Sequence, residues 1–164
     1  MEQKYIYSFS QIEDKVKALH ETNTEAAAAV ALSWLGLSRD ELKTLRVSDY
    51  NSTMRMLHSA GRVVYVREDL IADMLKAICE EAPEYSMGFF ITDVNSAYEA
   101  AEKQELSPIS VLKMRYVYEK HSAKLSGEPE DRVFLKEILR SVGESEADME
   151  KQFSEYEKDA PEKI

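Results

Sequence analysis

The sequence of 164 residues lacks the features that define several protein classes. It contains a single cysteine, Cys79, so a disulfide framework is excluded and a reducing compartment is expected. No apolar run approaches the roughly 18–20 residues of a membrane span. The first eleven residues also lack the apolar core of a signal peptide. We therefore expect a cytoplasmic protein with no membrane partner.

Glycine and histidine are also scarce, and this limits the catalytic chemistry. The five glycines are not clustered, so the sequence contains no glycine-rich phosphate-binding loop. His20, His58 and His121 lie far apart, without the spacing of metal ligands among themselves or with Cys79. No nucleophile-elbow pattern is present, although a dispersed Ser-His-Asp arrangement stays open. The sequence predicts no metal site and no cofactor.

Positive charge is in deficit overall but concentrated in two segments. The formal net charge of −10 argues against a protein that is basic over its whole surface. Between Ser38 and Arg67, however, there are six basic residues and three acidic ones, and between Lys113 and Lys124 there are four and one. Beyond Gly127 the balance is six basic against twelve acidic residues. The cations of the two basic segments either lie scattered on solvated faces or form a functional surface.

Apolar periodicity and capping signals predict a mostly helical α+β domain. The most apolar helix, 24–35, is expected to be buried on all sides and to end at Gly36 in a left-handed conformation. Ser38 and Glu41 have capping-box spacing for a short helix that follows. The other predicted helices begin near Ser10, at Asp69, after Asp93, at Pro108, at Pro129 and at Ala147.

Several finer predictions concern helix starts and strands. Thr22 and Glu25 have capping-box spacing for the apolar helix, and Pro129 is expected to open the helix that ends at Gly143. Two β-type runs on either side of Ala60-Gly61 predict a hairpin, and 88–92 predicts a short buried strand. The expected inward-facing residues are Met54, Met56, Val64 and Val66 in the hairpin and Val133, Phe134, Ile138 and Leu139 in the helix.

The segment GLSRDELKTLRVSDYN, residues 36–51, resembles the first signature box of the tyrosine recombinases, the family of the phage integrases. That box reads roughly Gly-Leu-Arg-x-x-Glu-Leu-x-x-Leu-Arg-x-x-Asp. The matching positions here are Gly36, Leu37, Glu41, Leu42, Leu45, Arg46, Ser48 and Asp49. The predicted order of elements is similar to that of the recombinase catalytic domain over most of the chain. The resemblance implies one such domain, 1–158, with a flexible acidic tail, 159–164, and no N-terminal core-binding domain.

The resemblance also implies that most catalytic positions are lost. The positions of the first arginine, the second-box histidine, the third-box histidine and the tyrosine nucleophile are held by Ser38, Leu112, Glu144 and Phe153. The hairpin lysine of the family has no counterpart, and only Arg115 of the second box is kept. The family reaction needs a tyrosine nucleophile and cationic groups around the phosphate. We therefore expect that the protein is not an enzyme.

Three functions follow from the resemblance. The first is a non-catalytic DNA-associated regulator of a phage or mobile element, similar to the phage repressors built on the integrase fold and bound to double-stranded DNA. The second is a protein–protein module that modulates a genuine integrase or other partner, or pairs with itself, through the C-terminal segment. The third is an active recombinase that uses Tyr156, three residues after Phe153.

The resemblance also implies where the functional surface lies. Gly36, Arg115, Gly143 and Phe153 are expected to border one concave face. A continuous positive groove over Arg115 favours DNA, whereas an acidic or apolar groove there favours a protein partner. The candidate DNA-binding residues are Arg39, Arg46, Arg55, Arg62, Arg67, Lys113 and Arg115.

Overall fold

A computed structural model of the protein describes residues 9–59, 61–81 and 88–159. The helices in these ranges are α1 (Phe9–Thr22), α2 (Thr24–Trp34), α3 (Arg39–Thr44), α4 (Asp69–Glu81), α5 (Val94–Lys103), α6 (Pro108–Ser126), α7 (Arg132–Val142) and α8 (Glu146–Asp159). An antiparallel sheet contains, in spatial order, β1 (Tyr50–Asn51), β2 (Met56–Ser59) and β3 (Arg62–Tyr65). The predicted mostly helical α+β fold is confirmed. None of the described helices is long and apolar enough to cross a membrane.

Helix α2 lies at the centre of the fold because its sequence is apolar on every side. Residues 26–34 are all buried, and Trp34 is fully enclosed. The helix packs against α1, α4, α5 and α6. Its run of alanines at 26–29 allows these neighbours to approach closely, since a methyl group occupies little volume. The prediction of a helix buried all round is confirmed.

The turn after α2 has the conformation that the sequence predicts. Gly36 has a φ of +94°, and its N–H donates to the Ser33 carbonyl at 2.9 Å. The next N–H, of Leu37, donates to the Leu32 carbonyl at 3.1 Å, which completes a Schellman motif. A capping box then starts α3: the Glu41 N–H donates to the hydroxyl of Ser38 at 3.2 Å, and the Ser38 N–H donates to the Glu41 carboxylate at 3.0 Å.

One predicted helix cap and one predicted helix start are wrong. Helix α2 begins at Thr24 as predicted, but Thr22 is not its cap. The N-cap of α2 is Asn23, whose side-chain oxygen accepts the Ala26 N–H at 3.0 Å, while the Thr22 hydroxyl donates back to the Leu19 carbonyl at 3.2 Å. Helix α7 begins at Arg132 and not at Pro129. Its cap is Asp131, since the carboxylate accepts the Phe134 N–H at 3.0 Å.

The inward face of α7 therefore differs from the predicted one. Val133 is 74% exposed, whereas Leu135 and Ile138 are buried, and Phe134 and Leu139 are half-buried. A helix that starts at Arg132 turns Val133 toward solvent in its first turn. The prediction for Val133 is wrong, and the prediction for Ile138 is confirmed.

The predicted hairpin is present, but part of its inward face is not the expected one. Met54 belongs to the turn before β2 and is 61% exposed. The buried apolar residue of β2 is Leu57, which pairs with Val64, and Val66 is also buried. Met56 stands one residue out of phase with Leu57, and successive strand residues face opposite sides. Ala60 of the predicted connection and residues 160–164 of the predicted tail lie outside the described residues.

Residues 88–92 do not form the predicted strand. Phe89 makes an isolated antiparallel bridge with Arg46, and the Phe90 N–H donates to the Leu45 carbonyl at 3.2 Å. Phe90 and Ile91 are buried, as expected from their apolar side chains. The segment is held by its side chains and a single bridge, so no extended ladder develops.

Candidate macromolecule-binding groove

A groove of about 720 Å³ lies between β3 and the helices α6 and α7. One wall is formed by β3 and residues 67–68 before α4, the floor by α6 from Arg115 to its end, and the other wall by the α6–α7 connection and the first turns of α7. The Schellman turn after α2 borders the floor through Leu35. This groove lies over Arg115, where the sequence predicts the functional surface.

Arg115 is enclosed by carboxylates and aromatic rings. Its guanidinium group pairs with Glu119, one helical turn later on α6, and lies 3.9 Å from a carboxylate oxygen of Glu68. The same group lies 5.1 Å from the ring centre of Trp34 and 5.2 Å from that of Phe134. Only 15% of the side chain is exposed. Its charge is compensated by carboxylates of the protein itself.

Arg62 is also paired within the protein. One of its terminal nitrogens donates to both oxygens of Glu41 at 2.9 Å and to the Gly36 carbonyl at 3.1 Å. The Ser59 hydroxyl donates to the same carboxylate at 2.8 Å. Burial alone would raise the pKa of Glu41, but hydrogen bonds from the Ser38 N–H, Arg62 and Ser59 hold it below the ordinary value. This network joins the hairpin to the start of α3.

The other predicted DNA-binding residues lie in different parts of the surface. Lys113 pairs with Glu144 at 2.5 Å, and Arg55 pairs with Asp69 at 2.9 Å. Two of the remaining arginines place their guanidinium groups over aromatic rings: Arg39 lies 4.6 Å from the ring centre of Tyr98, and Arg46 lies 5.0 Å from that of Phe89. The third, Arg67, lies on the groove wall. Arg67 is exposed and makes no ion pair with any described residue.

The expected single concave face is found only in part. Gly36 and Arg115 are joined through the Phe134 ring, which contacts both. Gly143 and Phe153, in contrast, do not line the groove. Phe153 is buried against α6, with its ring 6.4 Å from that of His121.

The C-terminal helix α8 packs onto α6 and buries the alternative phenol. Tyr156 is 1% exposed, with its ring 5.3 Å from the imidazole of His121, and its hydroxyl has no hydrogen-bond partner among the described residues. Burial raises the pKa of Tyr156 and lowers the pKa of His121, where nearby Glu157 opposes the effect and Lys124 adds to it. Lys120 with Glu150, and Lys124 with Glu157, join the same two helices.

The groove carries more negative than positive charge. It is lined by three guanidinium groups and six carboxylates, the latter being Glu68, Glu119, Glu128, Glu130, Asp131 and Glu137. These acidic residues were missed as site residues in the sequence analysis. For the four that lie beyond Gly127, the available signal was the excess of acidic residues there, but their position in the same groove as Arg115 depends on how α6 and α7 pack. Among the described residues, no group of three or more His, Cys, Asp or Glu side chains is placed to hold a metal ion.

The solved structure of XerA recombinase is similar to this chain, with a TM-score of 0.57 and 13% sequence identity. The similarity covers 92% of this chain and 58% of the XerA chain. The fold is that of a tyrosine recombinase. No protein-family model matches the sequence, and no curated protein matches it. This chain spans little more than half the length of the XerA recombinase chain.

The four residues that the sequence resemblance assigns to lost catalytic positions make structural contacts in this fold. Ser38 caps α3, and Leu112 is 1% exposed in the core. Glu144 binds Lys113, and Phe153 is buried between α8 and α6. None of these four side chains lines the groove over Arg115.

Proposed function

We propose that this protein is a non-catalytic regulator on the recombinase fold, of phage or mobile-element origin, and that it acts by binding a protein partner. The observation that carries the proposal is the charge of the groove, in which Glu68 and Glu119 already compensate Arg115. A DNA phosphate would have to displace these carboxylates and approach a groove of net negative charge. A protein partner with positive side chains meets no such repulsion.

The absence of catalysis rests on the two aromatic residues of α8. Phe153 has no hydroxyl, and Tyr156 is buried against His121 with a raised pKa. A buried phenol that resists ionisation and does not line the groove is poorly placed to attack a phosphate. Arg115 is the one catalytic arginine that the resemblance keeps, and it is enclosed.

The first prediction concerns this chemistry. After incubation with labelled duplexes or supercoiled plasmid DNA, we expect no covalent protein–DNA adduct on a denaturing gel and no change in plasmid topology. The reason is that Phe153 has no hydroxyl and the phenol of Tyr156 is buried against α6. Tyr156→Phe is the matched control. An adduct formed by the wild-type protein and absent in Tyr156→Phe would show an active recombinase.

A second candidate function, DNA association, is favoured by one observation. Arg67 lies on the groove wall, exposed and without an ion pair to any described residue. Arg39 is also exposed, although its guanidinium stacks on Tyr98. These cations could contact a few phosphates without opening an internal ion pair. Binding of this kind fixes position and not sequence.

The second prediction separates the two candidates. In a titration of labelled duplex DNA at about 20 mM salt, we expect no association, because the net charge of −10 opposes the approach of a polyanion. If the wild-type protein binds, each phosphate contact should contribute a slope of roughly −0.9 in log affinity against log salt. DNA association would instead be supported if the wild-type protein binds and the magnitude of this slope decreases by about one unit in Arg67→Ala. Glu99→Gln serves as the surface control.

A further inference from the structure

We infer that the groove over Arg115 binds a short segment of a partner protein that carries both Lys or Arg and apolar side chains. This inference rests on the proposed function and specifies the chemistry of the partner. It is carried by three features that occur together: exposed apolar side chains, uncompensated carboxylates and a limited volume.

The first feature is the exposure of large apolar side chains inside the groove. Tyr65 is 60% exposed, Val63 42% and Val133 74%. Single exposed apolar residues are common on protein surfaces and need no explanation. These three, however, all belong to the residues that line one groove, Val63 and Tyr65 from β3 and Val133 from α7. Apolar groups gathered on a concave surface are typical of a binding site.

The second feature is the charge that remains after internal pairing. Glu41 compensates Arg62, and Glu68 with Glu119 compensates Arg115. Glu128 is exposed and makes no ion pair with any described residue, and Asp131 makes none either.

Glu130 lies 3.8 Å from Lys120, which already pairs with Glu150. The α6–α7 side of the groove therefore presents carboxylates to which a cationic side chain would be complementary.

The third feature is the size of the groove. Its volume of about 720 Å³ is in the range of sites that hold one small molecule or a few side chains. This volume fits a few side chains of one segment. An acidic segment or a nucleic acid is disfavoured by charge, so a cationic and partly apolar segment is the occupant that the surface fits.

The third prediction tests this occupant with defined probes and the full chain. A fluorescent 12-residue peptide of Lys and Leu at helical spacing should bind at about 100 mM salt. We expect the same peptide with Glu in place of Lys, or with Ser in place of Leu, to bind at least tenfold more weakly. The measurement is fluorescence anisotropy, with the site mapped by NMR shifts of Val63, Tyr65 and Val133.

A pair of double variants separates the groove from general attraction to an acidic protein. Glu128→Lys/Glu130→Lys should weaken binding of the Lys/Leu peptide about tenfold. Glu99→Lys/Glu102→Lys makes the same change in net charge on the exposed face of α5 and should change binding less than twofold. Thermal unfolding of each variant verifies that it is folded.

Several outcomes would overturn the inference. Equal weakening by both double variants would show non-specific attraction, and equal binding of the Glu peptide would remove the charge argument. Self-association in sedimentation experiments that disappears in Val133→Lys would assign the groove to a second copy of the chain. The proposed function fails in a different way, through a covalent adduct or through duplex binding that depends on Arg67.

Discussion

Gly36→Ala is expected to lower the free energy of unfolding by about 2–4 kcal/mol. Two costs add at this position. The φ of +94° is a conformation that L residues with a side chain rarely adopt. In addition, a Cβ at Gly36 would lie 2.5 Å from Cε1 of Phe134, so the ring or the turn must move. Equilibrium denaturation with urea, followed by circular dichroism, measures the loss.

Gly143→Ala provides the matched control for the conformational cost. Gly143 has a φ of +69° and also ends a helix, but a Cβ there would meet nothing within 4 Å. Gly143→Ala should therefore lower the free energy of unfolding by only about 1 kcal/mol. Replacing Phe134 by Leu in the Gly36→Ala protein should recover part of the difference. Equal losses in Gly36→Ala and Gly143→Ala would show that the Phe134 ring moves freely and does not fix the turn.

Arg115→Ala is expected to lower the free energy of unfolding by about 2–3 kcal/mol, a large effect for a residue at a binding groove. The side chain is 15% exposed and covers the rings of Trp34 and Phe134. Its removal takes away this packing and leaves Glu68 and Glu119 close together without a cation. The same denaturation experiment measures the change.

Two comparisons identify the cause of this effect. Arg67→Ala removes an exposed guanidinium from the same groove and should change stability by less than about 0.5 kcal/mol. Glu68→Gln in the Arg115→Ala protein should restore about 1 kcal/mol, because one of the two uncompensated carboxylates is gone. A neutral Arg115→Ala substitution would instead mean that the guanidinium is held available for an external anion.

The local structure of this protein could be predicted from its sequence where the determining contacts are short-range. The turn at Gly36 and the capping box of Ser38 and Glu41 were predicted correctly because each hydrogen bond joins residues only a few positions apart. The same short range explains the errors at Thr22 and Pro129. Several capping residues stood within one turn there, and sequence alone does not rank their geometries.

The recombinase fold was also predicted from the sequence, because its first box carries the turn that orders α2, α3 and the hairpin. The fold of XerA recombinase confirms that prediction at the level of the fold. The sequence also showed that a phenol is missing at position 153. It could not show that Tyr156 is buried, since this depends on the packing of α8 against His121.

The character of the groove was decided by the tertiary structure alone. Counting charges along the chain gave two basic segments, but several of the cations within them are compensated by carboxylates, some of which come from distant segments. Glu68, just before α4, reaches Arg115 on α6, and Glu144, beyond α7, reaches Lys113. Coulombic attraction depends on distance in space, and folding sets that distance. For this reason the sequence determined which fold forms, and only the packing of its helices determined the sign of the surface it offers to a partner.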